Sequence, residues 1–206
     1  YTFKRQNYHW RCRIGRNAVL AEVIKPFSKK YPLVTYDILT ANADIIAEYM
    51  EKGLIDVGIL LEPVDITKFN FIRLEQKERW VVIMGPDDPL AQKDFISAKD
   101  LEGKPLILPR RQNLQNELYN WLGRSYQKSQ VSFTSNLSTN GAIMVQNGFG
   151  YSLAIEGSAN LWDKEKITHR PLYPPVMANS VFAWKKQQPF SLASEKFIEH
   201  MKCFLS

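Results

Sequence analysis

Cysteine is scarce in this chain: Cys12 and Cys203 are the two among 206 residues, far apart and without a paired spacing. That argues against a disulfide framework and suits two inert thiols in a reducing compartment. Histidine is equally sparse, and His9, His169 and His200 lie too far apart for a metal-ligand spacing, so no metal site is expected. No apolar stretch approaches the roughly 18 residues of a membrane span, and the N-terminus lacks a signal-peptide core. A soluble cytoplasmic protein with no membrane association is therefore expected. Charge of one sign is not concentrated either. The 27 Lys+Arg and 21 Asp+Glu give +6, and Lys29-Lys30, Arg110-Arg111 and Lys185-Lys186 are pairs and not runs. A solvated basic surface accounts for them, with neither the dense stripe nor the reading helix of a nucleic-acid face. Catalytic signatures fail too. Ser125 and Lys128 match Ser-x-x-Lys, but the companion Lys-Thr-Gly is missing. Gly148-Phe149-Gly150 reads as a helix stop and turn before it reads as a phosphate cradle. No nucleophile–base pair stands out, so neither an enzyme nor a cofactor is expected.

What is present is organised around Tyr31 to Leu61. Tyr31-Pro32 closes a preceding helix, because a residue before proline is pushed out of the helical region. Val34, Tyr36 and Ile38 alternate with polar neighbours, which predicts a strand. Asn42 or Asp44 can cap the helix that follows, on which Ile45, Ile46, Tyr49 and Met50 recur, and Gly53 stands where a left-handed stop is wanted. Ile55 to Leu61 is then almost wholly apolar, like a strand buried on both faces. Such a strand–helix–strand unit predicts a parallel sheet, with ligands at the carboxyl ends of its strands.

The rest of the chain repeats this plan. Ile14-Gly15 reads as the end of a first strand, after a polar-aromatic segment, 1–13, of no clear period. Ala18 to Lys30 predicts an amphipathic helix carrying Val19, Leu20, Val23, Ile24 and Phe27, kinked or nearly ended at Pro26. Asp65 to Arg79 reads as a connector, Trp80 to Met84 as a strand, and Gly85 to Pro89 as a turn. Further strands are predicted at Leu106–Leu108, Val131–Ser135, Tyr151–Ile155 and Ser180–Trp184. Helices are predicted at Leu114–Lys128, after Thr139-Asn140 as cap, and at Ser194–Leu205. The proline-rich stretch Ile167 to Met177 reads as a second connector. Two α/β blocks with two crossings predict a two-lobed molecule with a cleft, a favoured place for small molecules.

Arg110-Arg111 lies between a strand and a helix, so guanidinium donors and helix N–H groups combine there in a way that suits a carboxylate or phosphate. The alternative is a pair of exposed loop arginines. Thr139-Asn140 and Thr40-Ala41-Asn42 read first as capping clusters, with a ligand role as the second reading. Trp121 and Tyr126 could face a partner.

Taken in order, the pieces resemble the effector-binding domain of LysR-type transcriptional regulators. They are Phe27 with Tyr31-Pro32, Gly53 to Ile59, Pro89-Leu90-Ala91, Asp100-Leu101 with Pro105-Leu106-Ile107, Val145 to Leu153, and Arg170-Pro171-Leu172. The resemblance spans about residues 14–205. It implies two Rossmann-like lobes of the type 2 periplasmic-binding-protein fold: 14–77 with 176–206 as lobe I, and 78–175 as lobe II, joined by two crossover strands. It also implies a small, anionic effector in the cleft, with contacts at Arg16, Asn17, Thr40, Asn42, Leu61, Pro109, Arg110, Arg111, Thr139, Asn140 and Ile155. The implied partners are a second copy, through antiparallel lobe I–lobe II contacts, and DNA only through an N-terminal domain outside these residues; the full-length protein would be a tetramer. A solute-binding protein of a transport system is the alternative on the same fold. The family has a few more residues between Ile14-Gly15 and the next helix. With suitable codons, Gln6 to Cys12 read one frame over gives Lys-Ile-Ile-Thr-Gly-Asp-Val, a start closer to the family's.

Overall fold

The computed structural model describes residues 17–160, 162–187 and 189–205. In chain order the elements are α1 (Asn17–Lys30), α2 (Ala43–Glu51), β1 (Val57–Leu61), β2 (Phe69–Arg73) and β3 (Glu78–Met84). Next come β4 (Ile96–Ser97), β5 (Pro105–Pro109), α3 (Gln112–Leu122), β6 (Gln130–Ser135), α4 (Ser138–Gln146) and β7 (Tyr151–Ile155). The series ends with α5 (Glu156–Ala159), β8 (Thr168–Tyr173), β9 (Met177–Ala178), β10 (Ser180–Lys185) and α6 (Leu192–Leu205). The chain divides into two units. The first takes the residues up to Glu75 and from Asn179 onward, and the second is Gln76–Ala178.

In the first unit, the described sheet has the order β1-β10-β2, and both pairings are antiparallel. The parallel pairing expected around Tyr31–Leu61 is not found among the described residues. Where alternation predicts a strand over Val34–Ile38, only Asp37 is bridged. Val34 and Tyr36 still pack inward on a core of Leu20, Val23, Phe27, Phe182, Phe197 and Met201. Ile38 is 54% exposed, so the alternation marks packing more than pairing at that end. The α1 helix runs a turn beyond Pro26 and stops before Tyr31-Pro32. Its inner face meets α6, where Phe27 and Phe197 are edge to face at 5.1 Å. His200 Nε2–H donates to the Val23 carbonyl at 3.1 Å. The other side of the sheet carries α2, ended at Gly53 (φ 69) by bonds from Gly53 N–H to Met50 and from Leu54 N–H to Tyr49.

The second unit is built on a seven-stranded sheet of order β4-β8-β3-β7-β5-β6, with β9 beside β3. Three of its strands, β7, β5 and β6, are mutually parallel, whereas β3 runs antiparallel to β7 and β8. Val81, Ile83, Ile107 and Ala154 form one buried face with Ala142 and Val145 of α4 and Ala159 of α5. Both expected connectors contain strands. The β2 strand hides in Asp65–Arg79 because Asn70, Phe71 and Arg73 are exposed and the period-two signal is lost. The β8 strand hides in Ile167–Met177 behind its proline. Its outer neighbour β4 pairs only with Leu172 and Tyr173, leaving Pro171 at an edge position where proline is tolerated. The single helix expected over Leu114–Lys128 breaks at Gly123, and Gly123–Lys128 tightens into a 3-10 turn.

Arg170 of β8 fastens the turn at Pro89–Gln92 to this sheet. Its guanidinium donates to the carbonyls of Lys93 (2.7 Å), His169 (2.7 Å) and Ala91. Arg170→Ala should therefore cost roughly 1–3 kcal/mol, the range for losing charged donors from partly buried acceptors. Urea unfolding measures it, and a loss below about 0.5 kcal/mol would contradict the assignment.

Candidate functional site

Parallel pairing aligns the carboxyl ends of β5, β6 and β7 along one edge of the second unit. Pro109 sits opposite Ser135, and the register Leu106↔Tyr151 brings the end of β7, at Ile155, to the same edge. Arg110 N–H donates to the Ser135 carbonyl at 2.8 Å, tying the first residue past β5 to the last of β6. Three helices start from this edge, α3, α4 and α5, and their cap residues are Arg111, Leu137 and Ile155. None supplies a side-chain cap bond. Elsewhere in the chain Asn42 caps α2 through Ile45 N–H at 2.9 Å, and the carboxylate of Asp88 receives Leu90 N–H at 2.8 Å. Uncapped first turns present backbone N–H donors and the positive end of the helix dipole.

The two arginines separate in role. Arg110 is exposed, whereas Arg111 is 7% exposed and is built into the start of α3. Burial pushes the Glu117 carboxyl upward, and the Arg111 charge partly offsets this. Gln115 braces the edge from the buried face of α3. Its Nε2 donates to the Pro109 carbonyl at 2.8 Å, and its Oε1 accepts from Tyr119 Oη–H at 3.1 Å. The sequence carried a signal for Gln115, a polar residue within the apolar stripe of Leu114, Leu118 and Leu122, but not for the atom it supports.

Thr139 and Asn140 do not cap α4, contrary to expectation. The helix begins at Ser138 with Leu137 as cap, which places both residues in the first turn, exposed. Ser135 Oγ–H is meanwhile engaged by the Leu137 carbonyl, and Asn140 Nδ2 donates to Asn136 Oδ1 at 3.1 Å. The local turn is thus closed by Ser135 and Asn136, and the helix start stays open.

In the first unit, the short connection from α2 into β1 reverses the chain, so Thr40 and Asn42 lie at the end of β1 marked by Leu61. Helix α2 lies close on β1 at Gly58, where an added Cβ would stand 2.8 Å from Met50 Sδ. Thr40 is exposed, and Asn42 is committed to its cap. Asn17 is the first residue of α1. Arg16, the first strand expected at Ile14-Gly15, and the one-frame reading of Gln6 to Cys12 lie outside the described residues. The structure thus gathers Pro109, Arg110, Arg111, Thr139, Asn140 and Ile155 on one edge of the second unit, and Thr40, Asn42 and Leu61 at one end of the first. Among the described residues, no group of three or more His, Cys, Asp or Glu could hold a metal ion, and no helix is long and apolar enough to cross a membrane.

This edge of the second unit thus offers open helix starts beside the exposed Arg110 guanidinium. Residues 14–206 match the family model described as "LysR substrate binding domain", and the chain belongs to that family. Its fold is that of LysR effector-binding domains, the type 2 periplasmic-binding-protein fold. Among solved structures it is similar to the effector-binding domain of QuiR in complex with shikimate, with TM-score 0.80 and 16% identity over 97% of this chain and 98% of that one. The regulatory domain of CcmR from Synechocystis PCC6803, in complex with 2-PG, gives TM-score 0.78 and 17% identity over 97% of both chains. A curated relative is the HTH-type transcriptional regulator YvbU of Bacillus subtilis, 26% identical over 89% of this chain. The match spans 62% of that relative's length.

Proposed function

We propose that the domain senses a small anionic metabolite. The anion is held at the carboxyl edge of the second unit by Arg110 and by the first-turn N–H groups of α3 and α4. Pro109, Arg111 and Ile155 wall that edge, and Thr139 and Asn140 add hydrogen-bonding side chains. On the first unit, the proposed effector contacts are Arg16, Asn17, Thr40, Asn42 and Leu61. The observation that carries this reading is that two neighbouring helices start without a side-chain cap beside one exposed arginine. Preorganised donors of this kind bind anions without reorganisation.

No catalysis is involved. Binding shifts a conformational equilibrium by as much as the effector's affinity differs between the two states. The DNA-binding part of a full-length, cytoplasmic regulator reads that shift. Partner copies associate in antiparallel fashion, α1 and the Val34–Ile38 segment of one lobe against the Leu114–Lys128 segment of the other, with tetramers in the full-length protein. The matched relatives are described as HTH-type transcriptional regulators, which favours this reading over a transport receptor. A calorimetric screen of small carboxylates and phosphate esters, led by shikimate and 2-PG, tests it. A saturable one-to-one anion complex is expected. Binding of neutral or cationic compounds only would contradict it.

A further inference from the structure

The second unit begins at Gln76, and the first two residues of β3 are Glu78 and Arg79. The last strand before the chain leaves this unit, β9, pairs with the same two residues, Glu78↔Ala178 and Arg79↔Met177. Both crossings of the chain therefore meet at Glu78 and Arg79.

These residues also reach the segment that follows β7. Arg79 forks onto Glu156, with Nη2 to Oε1 at 2.6 Å and Nε to Oε2 at 3.1 Å. Glu78, 4% exposed, accepts Gly157 N–H on Oε2 at 3.3 Å. Gly157 lies in the first turn of α5, whose cap residue Ile155 offers no acceptor. Glu78 thus supplies, from a strand 79 residues earlier, the bond a cap side chain would give. His169 Nε2 stands 3.9 Å from Glu156 on the other side. A carboxylate buried to this degree requires hydrogen-bonding partners, and the Gly157 N–H is one of them.

We propose that Glu78 and Arg79 are positioning residues that hold Ile155–Gly157, the ligand-side end of β7, against both crossings, so that occupancy of that edge is transmitted to the crossings. The inference rests on the anion site proposed above. Its function is coupling and not contact with the ligand.

The test uses the tightest anion from the calorimetric screen, with amide exchange read by mass spectrometry. Glu156→Ala removes a negative charge beside an anion site, so Coulomb attraction alone predicts tighter binding. Positioning predicts the opposite sign: affinity falls about fivefold or more, and amides of 156–160 and 177–178 exchange about tenfold faster. Glu78→Gln keeps an acceptor oxygen and should bind within about threefold of the parent, whereas Glu78→Ala should lose about tenfold. If Glu78→Ala does not fold, the surface variant Glu156→Ala carries the test alone. Unchanged or tighter binding in Glu156→Ala overturns the proposal. If the parent protein binds no anion, the proposed function falls and this coupling role falls with it. Faster exchange in Glu156→Ala would then show a structural lock only.

Discussion

Gly150→Ala should destabilise the second unit by about 4 kcal/mol or more, enough to remove cooperative unfolding at 37 °C. Gly150 has φ 124, a conformation closed to side chains, and a Cβ there would stand 2.2 Å from the Pro105 carbonyl oxygen. That contact is backbone against backbone, at the place where β7 enters the sheet beside β5, and the register Leu106↔Tyr151 leaves neither strand room to retreat. The neighbouring Gly148 gives the control. It also has positive φ (78), but nothing lies within 4 Å of its Cβ position. It closes α4 through bonds from Gly148 N–H to Val145 and from Phe149 N–H to Met144. Gly148→Ala should therefore cost only about 1–2 kcal/mol, the price of the left-handed conformation alone. Urea titration of both variants separates the two. Equal losses would show that close approach contributes nothing at Gly150.

Arg110→Ala should weaken the anionic effector about tenfold to a hundredfold, the range for a charge-assisted bond in a preorganised site, with little change in stability. Arg110 is exposed, and its backbone bond, N–H to the Ser135 carbonyl, survives the substitution. Arg111→Ala behaves differently. Arg111 is buried at the start of α3 and its charge acts on Glu117, so its removal should lower both stability and affinity. Calorimetry with parallel unfolding measurements checks the pair. If Arg110→Ala binds like the parent, the exposed guanidinium is not part of the site.

The sequence made the buried strands legible wherever both faces are covered. Val57–Leu61, Leu106–Leu108, Tyr151–Ile155 and Ser180–Trp184 stand out as apolar runs because neighbours cover them on both sides. Strands β2 and β8 did not, since Asn70 and Phe71 face solvent and Pro171 interrupts the β8 run. Helix ends were read well where a glycine or asparagine makes the local bond, as at Gly53, Asn42 and Gly148. They were misread at Thr139-Asn140, because residue types that favour a cap also suit an open first turn. The family resemblance supplied the edge of Pro109, Arg110 and Ile155 as one neighbourhood. What no local pattern could supply is the reach of one strand to another's end: Gln115 to the Pro109 carbonyl, Glu78 to Gly157, Arg79 to Glu156. These contacts depend on sheet order, which periodicity does not encode.

The central claim is that an anion lies on the open starts of α3 and α4. The most direct measurement follows the backbone amides of Gln112, Asn113, Ser138 and Thr139 by NMR while the effector is titrated. The account predicts the largest downfield shifts and slowed exchange at these amides, saturating with the calorimetric isotherm. Effector binding that leaves all four unmoved while shifting amides elsewhere would contradict it.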